Sequence, residues 1–284
     1  MKFKIKKLLI ILISVLVIIS IIFISGIYYL VKSESKATNY LVKVIASTKF
    51  SEITKNMDVK DFNNFKIYSE NKIENSYYKL IQDSLQKGNN DVKKIYGQTG
   101  TSPLRIVVFS TAKEYNKAFN SSAKYDAARY DKYALYLSLD TLTLHNFIHE
   151  YVHFKTESFC NDKKINPLTI PSWFGEGISE YISFQYYINK QNEPSLKQIK
   201  PFIQLKYGSD FYKAQQEGYD VYSQSYLAVK KIIALKGEKS IQNILIDSKD
   251  MDFYSAFEKN MGLSIEEFQG RFLSVIRFKN KRHT

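Results

Sequence analysis

The chain has 284 residues, long enough to bury one substantial core, and carries a formal net charge of +13 from 41 Lys+Arg against 28 Asp+Glu. It holds no Arg-rich helix and no basic motif interleaved with aromatics, so nucleic acid is not an expected partner. Its single cysteine, Cys160, excludes an intramolecular disulfide and any CxxC site, and the absence of repeats and low-complexity tracts excludes a solenoid or a long disordered region.

Residues 1–7 form a basic tail with Lys2, Lys4, Lys6 and Lys7. From Leu8 to Val31 no residue is charged. As a helix this run is about 36 Å long, enough to cross a hydrocarbon core of ~30 Å with some tilt. The lysines before it place the N-terminus in the cytoplasm, and Tyr28 and Tyr29 suit the outer interface. The run exceeds a signal-peptide core and no A-x-A-like site follows it, so an uncleaved anchor is expected rather than a cleaved signal. Either arrangement puts the rest of the chain outside the cytoplasm, on the cell surface or secreted.

Residues 32–60 read as a stalk with some helical character, and 61–284 as the folded domain. Phe65–Glu70 reads as a strand, Tyr77–Tyr96 as a helix stopped by Gly97, and Leu104–Ser110 as a buried β-branched strand. Thr111 and Glu114 form a capping box for the next helix. Ala134–Leu139 reads as a further strand. Helices are expected at about Thr141–Cys160, Ser172–Ile188 with Ser172 as cap, Val221–Lys236 before Gly237, and Glu238–Ile246. A last helix to about Phe278 opens on the capping box of Ser264 and Glu267. A few strands followed by many helices predict an α+β fold, mostly helical with a small β-sheet.

The stretch HNFIHEYVHF, His145–Phe154, holds three of the four histidines. His149 and His153 lie one helical turn apart on one face, so both imidazoles can reach one ion. Glu150 between them is placed to take a proton from a metal-activated water. His145 stands about 12 Å along the axis from His153 and cannot join that pair. It can pair with His149 instead, but HNFIH lacks the adjacent glutamate, so His145 is expected at the cleft edge or in solvent. No third histidine follows at metzincin spacing. In PSWFGEGISEY, Pro171–Tyr181, Glu176 can supply a third ligand, and Glu180, one turn on, can accept the ring N–H of a ligating histidine. Trp173 and Phe174 read as packing residues beside the site.

HEYVH followed by PSWFGEGISEY resembles the gluzincins, zinc peptidases with HExxH followed by W-x-x-E-G, and in particular the bacterial membrane-attached peptidase-MA-like domains. DVYSQSYLAVKKIIALKG, Asp220–Gly237, and Ala256–Phe272 resemble that family's later helices. The resemblance implies one zinc ion on His149, His153 and Glu176, with Glu150 as general base. It also implies a tyrosine stabilising the oxyanion, Tyr222 or alternatively Tyr226. The substrate it implies is a peptide or protein, paired as an extended chain with an edge strand, for which ALYLSL is the candidate. No G-x-M-E-N stretch is present, so an endopeptidase is expected over an aminopeptidase. The other reading is a surface zinc-binding or adhesion module without turnover.

Overall fold

The computed structural model describes residues 38, 40–99, 103–120, 128–187 and 194–280. The segment 8–31, expected to span a membrane, lies outside the described residues. Among the described residues no helix is long and apolar enough to cross a membrane. Residues up to Ile45 form one unit and Ala46–Thr284 another, and the second is described from here on.

The fold is α+β and mostly helical, as expected. Among the described residues five strands form one sheet: β1 (Asp58–Phe62), β2 (Phe65–Ser69), β3 (Leu104–Phe109), β4 (Ala128–Tyr130) and β5 (Leu135–Ser138). Their order is β1-β2-β3-β5-β4, with β1/β2 and β4/β5 antiparallel and β2/β3 and β3/β5 parallel. The parallel β2/β3 pair needs a crossover, supplied by α2 (Asn75–Tyr96). Gly97 ends α2 at φ 66°, a backbone angle that favours glycine.

The alternation of β3 assigns its two faces. Ile106 and Val108 pack with Leu135, Leu137 and residues of α2 and of α4 (Leu144–Lys163) in the main core. Val107 and Phe109 point the other way, onto Tyr115 of α3 (Ala112–Phe119), Tyr136, Phe50 and Met57. Phe50 belongs to helical residues 40–54 (α1), and Met57 precedes β1. The stretch expected as a stalk up to residue 60 therefore contributes to the compact unit from Ala46 onward.

Helices α5 (Ser172–Ser183), α6 (Gly208–Gln216), α7 (Val221–Lys236), α8 (Lys239–Asp247), α9 (Phe253–Met261) and α10 (Ile265–Asn280) follow. Trp173 is fully buried among Phe174, Phe202, Phe253 and Phe257, as its expected packing role requires. Both expected capping boxes form: the Glu114 amide donates to Thr111 Oγ1, and the Ser264 amide donates to Glu267 at 3.0 Å. Two local expectations change. Pro171, not Ser172, is the cap of α5, and a 3-10 turn at Phe184–Tyr186 ends the helical run before 188. The strand ALYLSL does not lie at the edge: β5 sits between β3 and β4, and the short β4 is the edge.

Candidate metal centre

Two helices build the site. Helix α4 starts at Thr143, whose side chain accepts the Asn146 amide at 3.1 Å. It carries His149, Glu150 and His153 on one face and buries Phe147, Ile148 and Val152 on others. Helix α5 packs on it and brings Glu176 and Glu180, one turn apart. What lets α5 sit where it does is Gly177. A Cβ there would lie 2.6 Å from the Ser225 carbonyl oxygen and 2.7 Å from Val229, both on α7.

The expected ligands converge. His149 Nε2 and His153 Nε2 lie 3.1 Å apart, and Glu176 Oε2 stands 3.1 Å from the first and 3.3 Å from the second. Three donors on one tetrahedral ion, at bond lengths near 2.1 Å, are separated by about 3.4 Å. The triangle is thus within a few tenths of an ångström of what an ion would need. Two imidazoles and a carboxylate are also the donor chemistry that suits zinc. The residues present fit the group.

Glu180 lies behind this triangle. Its Oε1 is 3.0 Å from His149 Nδ1, the nitrogen facing away from Glu176, as a close charge contact rather than a well-aligned hydrogen bond. Its Oε2 is 3.4 Å from His145 Nε2. The expectation for His145 is corrected: only 6% of its surface is exposed, and its ring stacks on Tyr187 at 3.7 Å. The two imidazole nitrogens of His149 therefore face different partners. Nε2 faces His153 and Glu176, while Nδ1 faces Glu180 and, beyond it, His145.

Charge follows geometry. Burial disfavours the imidazolium of His149, but Glu176 and Glu180 outweigh it and hold its pKa well above the ordinary value. Burial pushes Glu176 and Glu180 up, yet the histidines beside them win, leaving Glu176 far below the ordinary carboxylate range and Glu180 at about 2. Glu150 moves the other way. Its burial raises its pKa against the opposing pull of His149 and His153.

His149, Glu150, His153 and Glu176 line a cleft of about 340 Å³. Glu150 faces the edge strand, where its Oε2 accepts the Tyr130 backbone N–H at 2.8 Å. Tyr222 lines the cleft, with its ring 6.2 Å from that of His149. Tyr226, the alternative, is buried and stacks on Phe184 at 4.3 Å, away from the cleft lining. Three cleft residues were not anticipated in their roles. Tyr130 fixes one oxygen of Glu150 and donates its hydroxyl to Glu157 at 3.3 Å, and Lys132 holds a turn with φ 72° beside them. The signal for Tyr130 was slight, since a three-residue strand has almost no periodicity to read.

No family model matches the chain. It is similar to a curated protein of Bacillus subtilis (strain 168), the uncharacterized protein YhcO, at 24% identity over 242 residues, covering 78% of this chain and 72% of the relative. That similarity runs through most of both chains, and the relative's name carries no activity to transfer.

Proposed function

We propose that this chain is a membrane-anchored zinc metallopeptidase of the gluzincin type, acting outside the cytoplasm as an endopeptidase. The observation that carries the reading is the triangle of His149 Nε2, His153 Nε2 and Glu176 Oε2, with Glu150 lining the same cleft. The anchor rests on the uncharged run Leu8–Val31 behind four lysines.

A zinc ion held by His149, His153 and Glu176 supplies Lewis acidity, which makes water nucleophilic near neutral pH and polarises a carbonyl. The chain's own groups do the rest. Tyr130 holds Glu150 Oε2 through its backbone N–H, leaving Oε1 to take the proton of the attacking water. The raised pKa of Glu150 makes it a better proton acceptor than an exposed carboxylate. Glu150 then returns that proton to the leaving amine. Tyr222, which lines the cleft, would donate its hydroxyl to the developing oxyanion. The edge strand β4, not β5, is the strand on which an extended substrate can pair.

Elemental analysis of the purified full-length protein tests the site. One zinc per chain is expected, and both His149→Ala and Glu176→Ala are expected to lose it. Full zinc content in Glu176→Ala removes the third ligand and with it the gluzincin reading.

Glu180→Gln gives a finer result. The glutamine keeps the shape beside His149 Nδ1 but removes the charge that orients the ring. Zinc affinity, measured by competition with a chromophoric chelator, is expected to fall ten- to a hundredfold, in the range typical of such partners. An unchanged affinity means that Glu180 does not tune the ligand.

A further inference from the structure

A second, larger cavity lies on the other side of α4. It is a groove of about 520 Å³ between α2, α4 and the starts of β2 and β3. Its chemistry differs from that of the cleft. Glu150, Glu157 and Glu176 put three carboxylates in the cleft, whereas none of the described residues lining the groove is acidic. Five side-chain amides line it instead: Asn64, Gln82, Gln86, Asn89 and Gln98. Gln82, Gln86 and Asn89 continue into Lys93 at spacings of four, three and four, so one face of α2 presents an amide row ending in an ammonium.

A second ammonium comes from Lys155 on α4. Its Nζ donates to Thr99 Oγ1 at 3.4 Å and lies 5.6 and 5.7 Å from the ring centroids of Tyr151 and Phe154. Burial lowers its pKa, and the like charge of Lys93 lowers it further, with Asp162 pulling the other way. Lys93, which is exposed, and Lys155, which is half-buried, therefore stand on a surface whose described lining includes no carboxylate. Tyr151, only 5% exposed, also lines the groove.

The groove and the cleft adjoin. Phe154 lines the groove, Tyr130 lines the cleft, and the two rings meet edge-on at 5.8 Å. We propose that the groove binds an acidic segment of a peptide substrate, with Lys93 and Lys155 taking its carboxylates and the amide row of α2 its backbone. Side-chain amides can pair with both the N–H and C=O of an extended chain. An acidic segment is attracted to the two ammonium groups a short way beyond the cleft, so their charge orients the substrate along its length. That the occupant is a substrate rests on the peptidase reading; the binding itself does not.

The test uses the full-length Glu150→Gln protein in detergent at 0.15 M salt, so that no probe is consumed. Two fluorescein-labelled octapeptides are compared by anisotropy, one with four aspartates and one with asparagine at the same positions. The aspartate peptide is expected to bind at least tenfold tighter. Lys155→Met, which keeps the apolar stem, and Lys93→Met are each expected to weaken it severalfold, and together more than tenfold. Lys113→Met, at an exposed position of α3, removes the same charge elsewhere and is expected to change affinity less than twofold. Equal affinity for the two peptides overturns the proposal. So does an equal loss in Lys113→Met, which means general attraction to a basic surface. An oligogalacturonate that displaces the peptide at lower concentration makes the occupant a glycan and also overturns it. If Lys155→Met does not fold, Lys93→Met decides, because its side chain is exposed. If the wild-type chain cleaves no peptide while the aspartate probe still binds, the groove stands and the peptidase reading falls.

Discussion

Glu150→Gln is expected to keep its zinc and lose peptide hydrolysis, with kcat/KM down by about 10²–10⁴, the usual contribution of a positioned general base. The geometry makes this a clean substitution. Glutamine has nearly the shape of glutamate, and its carbonyl oxygen can still accept the Tyr130 amide that now meets Oε2 at 2.8 Å. Helix α4 and the ligand triangle are untouched, because Glu150 is not one of the three groups that converge. What is lost is the capacity to take and return a proton. The measurements are zinc stoichiometry by elemental analysis and cleavage of internally quenched peptides by wild type and variant in parallel. Normal hydrolysis by the variant excludes Glu150 as base. Zinc with no hydrolysis in the wild type favours the other reading, a metal-binding surface module.

The convergence of His149, His153 and Glu176 was legible because each helix brings its share in a short local pattern. His149 and His153 are four apart, and a helix of 3.6 residues per turn converts that spacing into a shared face. Glu176 and Glu180 sit in one short motif on the next long helix, so a single helix–helix contact completes the site. What could not be read depends on partners distant in sequence. His145 looks like a solvated histidine until Glu180, 35 residues on, and Tyr187 close over it. ALYLSL looks like an edge strand until β4, three residues long, pairs alongside it. Residues 46–60 look like linker because Phe50 and Met57 find their core against Val107 and Phe109, which no local pattern announces. The groove face of α2 is a run of Gln and Asn whose polarity reads as solvent exposure, and it acquires meaning only beside Lys155 of α4.

The Gly175-Glu176-Gly177 run separates two further outcomes that its sequence does not distinguish. Both glycines lie within α5, where alanine ordinarily stabilises a helix by about 1 kcal/mol. At Gly175 a Cβ would meet nothing within 4 Å, so Gly175→Ala is expected to raise stability by up to that amount. At Gly177 the added carbon would stand 2.6 Å from the Ser225 carbonyl oxygen and 2.7 Å from Val229 Cγ2. The first of these is backbone in the middle of α7 and cannot rotate away, so α5 must shift. Overpacking of this kind costs about 1–3 kcal/mol or more, enough to outweigh the helix-propensity gain. Gly177→Ala is expected to lower the melting temperature by several degrees, at about 2–4 °C per kcal/mol for a unit of this size. The shift also moves Glu176, the adjacent residue, away from His149 and His153, so zinc affinity is expected to fall with stability. Thermal unfolding and chelator competition on the two variants read both effects. A Gly177→Ala protein as stable as Gly175→Ala, with zinc bound as tightly as in the wild type, shows that α5 and α7 do not need their close approach to hold the third ligand.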